Sequence, residues 1–208
     1  QYSTAAPDAE PASPTLSESH RVTRARRMKF LHTADIHLDS PLTGLSATGL
    51  GAAADRPVDR LRQSTRLAFA NLIDHALAEA VDFIIIAGDL YDGTWRDYRT
   101  GLYFGEQMAR LAKAGIPAYV VLGNHDAQSR LTRDLRLPDN VRVFAADRPE
   151  TVLSRDGAVA IHGRSFPEPA VTDNLALGYP PARPGCFNIG VLHTAAGGSN
   201  AHANYAPC

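Results

Sequence analysis

Three short stretches hold the side chains best suited to bind metal: Asp35-Ile36-His37, Gly88-Asp89-Leu90-Tyr91-Asp92 and Gly123-Asn124-His125-Asp126. Their donors are carboxylate oxygen, amide oxygen and imidazole nitrogen, with no cysteine in reach, which favours Mn, Fe or Zn over a thiolate site. Asp35 and His37 are two apart, so on an extended backbone both side chains face the same way. Asp89 follows a glycine in a tight turn, where one carboxylate can bridge two ions. Asn124 offers a neutral carbonyl oxygen, and His125 beside it need not be a ligand. Gly, Asn and Asp also populate ordinary turns for backbone reasons, so one such loop alone decides nothing. Three in order, each behind an apolar run, argue for one shared site.

The elements that must position these loops follow from the apolar pattern. The runs Lys29 to Ala34, Asp82 to Ala87 and Ile116 to Leu122 read as buried strands, and ligands gather beyond the carboxyl ends of strands in open α/β sheets. Val58 to Ala80 reads as an amphipathic helix, with Leu61, Thr65, Ala68, Leu72, Ala76 and Ala80 at helical spacing. Tyr98 to Ala114 is a second helix, closed by Gly115 and Pro117. The segments Val141 to Phe144, Thr151 to Leu153, Ala158 to His162 and Phe187 to His193 are expected to form a second sheet packed on the first. Leu131 to Leu137 and Ala170 to Leu177 read as short helices. His32 is expected to pack in the core, His162 to be structural, and His75 and His202 to lie at the surface.

The chain has 208 residues, 44% of them hydrophobic, which suits one domain with a core of its own. No apolar run approaches the length of a membrane span. Two cysteines, Cys186 and Cys208, are too few for a disulfide framework and fit a reducing, cytoplasmic setting. With 21 basic and 22 acidic residues, the net charge of -1 lacks the basic footprint of a nucleic-acid binder. Any DNA affinity must then come from a local patch, from metals meeting phosphate, or from sequence beyond this chain. Residues 1–27 are rich in Ala, Pro, Ser and Glu before turning basic, and read as a disordered leader. The folded domain is expected over 28–208.

In this order, Asp-x-His, Gly-Asp-x-x-Asp and Gly-Asn-His-Asp resemble the motifs of the calcineurin-like metallophosphoesterases. The text from Met28 to Leu42, with residues 94–102, 161–166 and 204–208, is similar to the SbcD-like DNA-repair exonucleases, especially their YhaO-like branch. The resemblance implies an αββα sandwich and two divalent ions, most often Mn2+. It also implies action on DNA ends beside an SbcC-like ATPase, no membrane association, and a second copy of the chain as a further candidate partner. One departure stands out. The family closes its site with Gly-His-x-His, which this sequence does not supply, so the chain reads as the amino-terminal part of a longer protein. By resemblance the two missing histidines would give one ligand to each ion, and the isolated piece should bind metal weakly and turn over little.

Phosphodiester hydrolysis needs a deprotonated water and stabilised phosphoryl oxygens, which two ions about 3.5–4 Å apart supply together. Within the resemblance, Asp35 and His37 are assigned to one ion, Asp89 to the bridge, and Asn124 with His193 to the other. His193 enters because Leu192-His193-Thr194 matches the family's motif position. His125 is then free to contact phosphate or protonate the leaving oxygen, with Asp126 fixing its tautomer. Asp92 either supports His125 through a hydrogen bond or stabilises its own turn. Arg96 and Arg99, beside Trp95 and Tyr98, are candidate substrate contacts, since such a mixture can stack a base and hold phosphate; packing at a helix start explains them equally. Two other functions fit the same loops: a phosphatase or cyclic-nucleotide phosphodiesterase with a small substrate, and a catalytically incomplete binding fragment.

Overall fold

The computed structural model describes residues 27–40, 55–92, 98–128 and 136–195, with side chains of the first helix described from residue 63. The strands β1 (Phe30–Thr33), β2 (Phe83–Ala87), β3 (Ala118–Val121) and β4 (Val141–Val143) lie side by side in that order, all parallel. Parallel neighbours need long crossovers, and the helices α1 (Asp55–Ala78) and α2 (Tyr98–Lys113) provide the first two. A second sheet follows from β5 (Glu150–Leu153), β6 (Val159–Gly163) and β7 (Phe187–Val191), with β6 in the middle.

The alternation along β2 explains the layering. Ile84 and Ile86 point into one core with Phe69 and Ile73 of α1 and Phe104, Met108 and Leu111 of α2. Phe83, Ile85 and Ala87 point the other way, against Val159 and Ile161 of β6 and Val191 of β7. Strand β3 repeats the division, with Ala118 and Val120 on the helix side and Tyr119 and Val121 on the sheet side. Period-two side chains on a strand covered on both faces require this arrangement. Burying each Ile or Phe contributes roughly 1.5–3 kcal/mol. The described residues thus build helices, sheet and sheet of the expected sandwich, and none of them forms a long helix on the far side of the second sheet.

Both helices end in the same hydrogen-bonded turn. After α2, Gly115 N–H donates to Ala112 O and Ile116 N–H to Leu111 O, with Gly115 at φ 72°. After α1, Ala80 N–H donates to Leu77 O and Val81 N–H to Ala76 O. Here the left-handed position is an alanine at φ 46°, which glycine would occupy without the Cβ penalty.

Three expectations change. Val141–Val143 belongs to the first sheet rather than the second. The Asn140 amide donates to Met108 O and Ile116 O, and Phe144 N–H donates to Val120 O. The segment is thereby zipped onto the edge of β3, whose buried polar groups need a partner. Of Ala170 to Leu177, only a single 3-10 turn at Leu175–Gly178 is helical, started by the Asn174 side chain accepting from Ala176 N–H. His32 is exposed on β1, an edge strand, rather than packed in the core. His162 is structural as expected, set between the Thr151 hydroxyl and the Asn188 amide oxygen. The expected helix over 131–137 falls largely outside the described residues, as do most of the leader and His202.

Candidate metal centre

The site forms where β1, β2, β3 and β7 end. Strand β1 stops at Thr33, and the extended backbone expected through His37 is absent. Asp35, His37 and Asp39 instead take left-handed φ values of 51°, 44° and 58°. Their backbone is held in place across the gap to the next loop. Asp35 N–H donates to Gly88 O, His37 N–H to Asp89 O, and Leu38 N–H to Leu90 O. Asp89 is itself left-handed at φ 50°. Non-glycine residues in this region cost energy and persist where surrounding contacts impose them, often at functional sites.

The inner part of the site is buried. Asp89, Asn124 and His193 are 0%, 8% and 6% exposed. His125 N–H, in the short helix α3 (Asn124–Gln128), donates to Asp89 Oδ1 at 3.0 Å. Asp89 Oδ2 is buried without a hydrogen bond; His193 Nε2 lies 3.3 Å from it and 3.1 Å from Asn124 Oδ1. The other ring nitrogen, Nδ1, is 3.2 Å from Ala87 O. A carbonyl can only accept, so Nδ1 carries the proton and Nε2 presents a lone pair to two oxygens. Three electron-rich atoms then converge on one point, and they need a cation between them. Burial works to lower the His193 pKa, but its contacts with Asp89 and Ala87 outweigh that and raise it. Burial likewise works to raise the Asp89 carboxyl, and His193 together with the His125 N–H holds it below the usual range.

Two glycines allow this crowding. A Cβ on Gly123 would lie 2.2 Å from Asp89 Oδ1. A Cβ on Gly88, at φ +92°, would meet the His193 ring. The sequence suggests turns at these positions; the close approach of a side chain is the stronger constraint.

The outer part is more open. Asp35, His37 and Asp89 each offer a donor atom within 4.8 Å of the others, and so do His37, Asp92 and His125. The His37 and His125 rings meet edge to face at 5.1 Å. Asp92 Oδ1 stands 3.2 Å from His125 Nδ1, and Asp92 Oδ2 accepts from the Ser40 hydroxyl at 2.6 Å.

The expectation that Asp126 orients His125 is corrected here. Successive helical residues point about 100° apart, so His125 faces the cleft while Asp126 turns inward. The Asp126 carboxylate accepts from the backbone N–H groups of Gly123, Leu90 and Tyr91. It joins the second and third loops, and burial pushes its carboxyl up to about 6. The carboxylate facing His125 is Asp92. Arg99 is exposed in the first turn of α2, and Arg96 lies outside the described residues. Sequence reasoning misses Ser40 as a partner of Asp92, although polar residues recurring at Asp35, His37 and Asp39-Ser40 beyond a strand mark a loop rich in donors.

The sequence matches the calcineurin-like phosphoesterase family over residues 28–182. The chain belongs to that family. It is 36% identical over 86% of its length to the uncharacterized metallophosphoesterase YhaO of Bacillus subtilis (strain 168). It is 31% identical over 51% of its length to the DNA double-strand break repair protein Mre11 of Sulfurisphaera tokodaii. A component of the nuclease SbcCD of Staphylococcus epidermidis is 26% identical over 67% of the chain. The chain spans 44%, 24% and 33% of these relatives. The calcineurin-like phosphoesterases are hydrolases that use divalent metals, and the buried donor atoms Asp89 Oδ2, Asn124 Oδ1 and His193 Nε2 fit such an ion. Among the described residues, no helix is long and apolar enough to cross a membrane.

Proposed function

We propose that the chain is the hydrolytic part of a nuclease that cleaves phosphodiester bonds at DNA ends with two divalent ions, Mn2+ as the working metal. The observation that carries this reading is Asp89. Its Oδ1 is fixed by the His125 N–H, while its Oδ2 is buried and free of hydrogen bonds between the two donor groups. Asp35, His37 and Asp89 would hold one ion, and Asp89, Asn124 and His193 the other. When bound, the ions supply Lewis acidity for the phosphoryl oxygens and a lower pKa for the attacking water.

The protein's own residues do the rest. His125, about a third exposed at the mouth of the site, donates a proton from Nε2 to the leaving oxygen while Asp92 faces its Nδ1. Gly88 and Gly123 let the neighbouring groups close tightly around the bridging carboxylate. DNA as substrate is supported by the names of two relatives, a DNA double-strand break repair protein and a component of the nuclease SbcCD; an SbcC-like ATPase partner is part of the same proposal. The test compares linear DNA with bis(p-nitrophenyl) phosphate. With Mn2+ the complete protein should shorten linear DNA, and EDTA should stop it. Hydrolysis of the small diester with DNA left intact would replace this reading by a small-substrate phosphodiesterase.

A further inference from the structure

The Asp92 carboxylate is only partly confined by its own position, since its side chain remains 29% exposed just beyond the β2 loop. A carboxylate there can swing toward solvent, or toward His37, whose Nδ1 is 3.9 Å from Asp92 Oδ1. The Ser40 hydroxyl opposes this, donating to Oδ2 at 2.6 Å. With Oδ2 held, Oδ1 is left on the His125 side at 3.2 Å.

Ser40 is itself firmly placed. Its N–H donates to His37 O, closing a tight turn. Asp39 beside it accepts from Arg66 through both Nε and a terminal nitrogen, and from the Thr100 hydroxyl at 2.6 Å. The Asp39 N–H donates to Thr65 Oγ1. A bidentate Arg–carboxylate pair fixes direction as well as distance. Arg66 in turn lies over the Tyr103 ring at 4.9 Å, and the Tyr103 hydroxyl donates to Arg66 O. The pair Asp39-Ser40 is thus bolted to α1 and α2, and Ser40 carries that fixity to Asp92.

We propose that Ser40 is a positioning residue, which holds Asp92 Oδ2 so that Oδ1 keeps the His125 ring aimed at the leaving oxygen. The inference rests on the proposed role of His125 as the acid. It predicts dependence on the leaving group: an alkoxide leaving from DNA needs the proton, whereas p-nitrophenolate hardly does.

Three proteins decide it: wild type, Ser40→Ala and Ser40→Thr. In crystals of metal-free Ser40→Ala, Asp92 should move more than about 4 Å from His125, beyond hydrogen-bond reach, or split into two conformers, and Ser40→Thr should restore its place. In Ser40→Ala, kcat on DNA should fall about ten- to a hundredfold, the usual cost of losing an outer hydrogen-bond partner. That fall should exceed the fall on bis(p-nitrophenyl) phosphate by at least about tenfold. KM and calorimetric Mn2+ binding should hold, and Ser40→Thr should recover the rate. An Asp92 that stays in place in Ser40→Ala, equal losses on both substrates, or no rescue by threonine would overturn the proposal. Should the wild type hydrolyse neither substrate, the phosphodiesterase reading fails, and the crystal structures still decide whether Ser40 holds Asp92.

Discussion

The inner and outer halves of the metal centre are built by different means. Asp89, Asn124 and His193 sit almost out of reach of water, with the His125 N–H on Asp89, the Ala87 carbonyl on His193, and glycines that admit no methyl group. Asp35, His37, Asp92 and His125 lie nearer the surface and depend on left-handed backbone and on relayed hydrogen bonds. Burial turns a small set of lone pairs into a strong demand for positive charge, because an unmet polar atom is costly away from water. Exposure leaves side chains free to approach a substrate and release it. On the proposed ligand set, Asp89, Asn124 and His193 should govern retention of the inner ion, whereas Asp92 and His125, which are assigned to no ion, should govern turnover.

Asp89→Asn tests this division most severely. It removes the shared carboxylate, so both ions should be lost, with Mn2+ affinity weakened more than about a hundredfold, beyond the range typical of an outer partner. Calorimetry would detect this, and hydrolysis should vanish with it. His125→Ala should leave metal stoichiometry intact and reduce turnover by about 10²–10⁴-fold. Parallel loss of metal and rate in that variant would break the comparison. Asp126→Asn turns an amide NH2 toward at least one of three buried backbone N–H donors. It should lower stability by about 2 kcal/mol in urea titrations of the metal-free protein. The smallest effect belongs far from the centre. Ala80→Gly should raise stability by about 1 kcal/mol by relieving a left-handed alanine, with Mn2+ binding unchanged.

Much of this arrangement is legible in the chain. The Ile84-Ile85-Ile86 run announces a strand covered on both faces, and the Gly-Asp and Gly-Asn pairs mark where strands give way to loops. The left-handed turns at Asp35 and His37 are hidden, because only hydrogen bonds to Gly88 and Asp89, distant in the chain, impose them. The sheet to which Val141–Val143 belongs is hidden for a similar reason. A three-residue strand carries no pattern that distinguishes neighbours, and the choice is made by Asn140 gripping Met108 and Ile116. Adjacency in sequence also misleads at His125-Asp126, since one helical step sends neighbouring side chains to different surroundings.

His193 has a further consequence, because it follows β7 of the second sheet whereas Asp89 and Asn124 follow strands of the first. A cation gripped by all three is a rivet driven through both layers. Loading the protein should therefore slow the parting of the two halves of the sandwich, and stripping the ion should loosen a seam that side-chain packing alone must then keep shut.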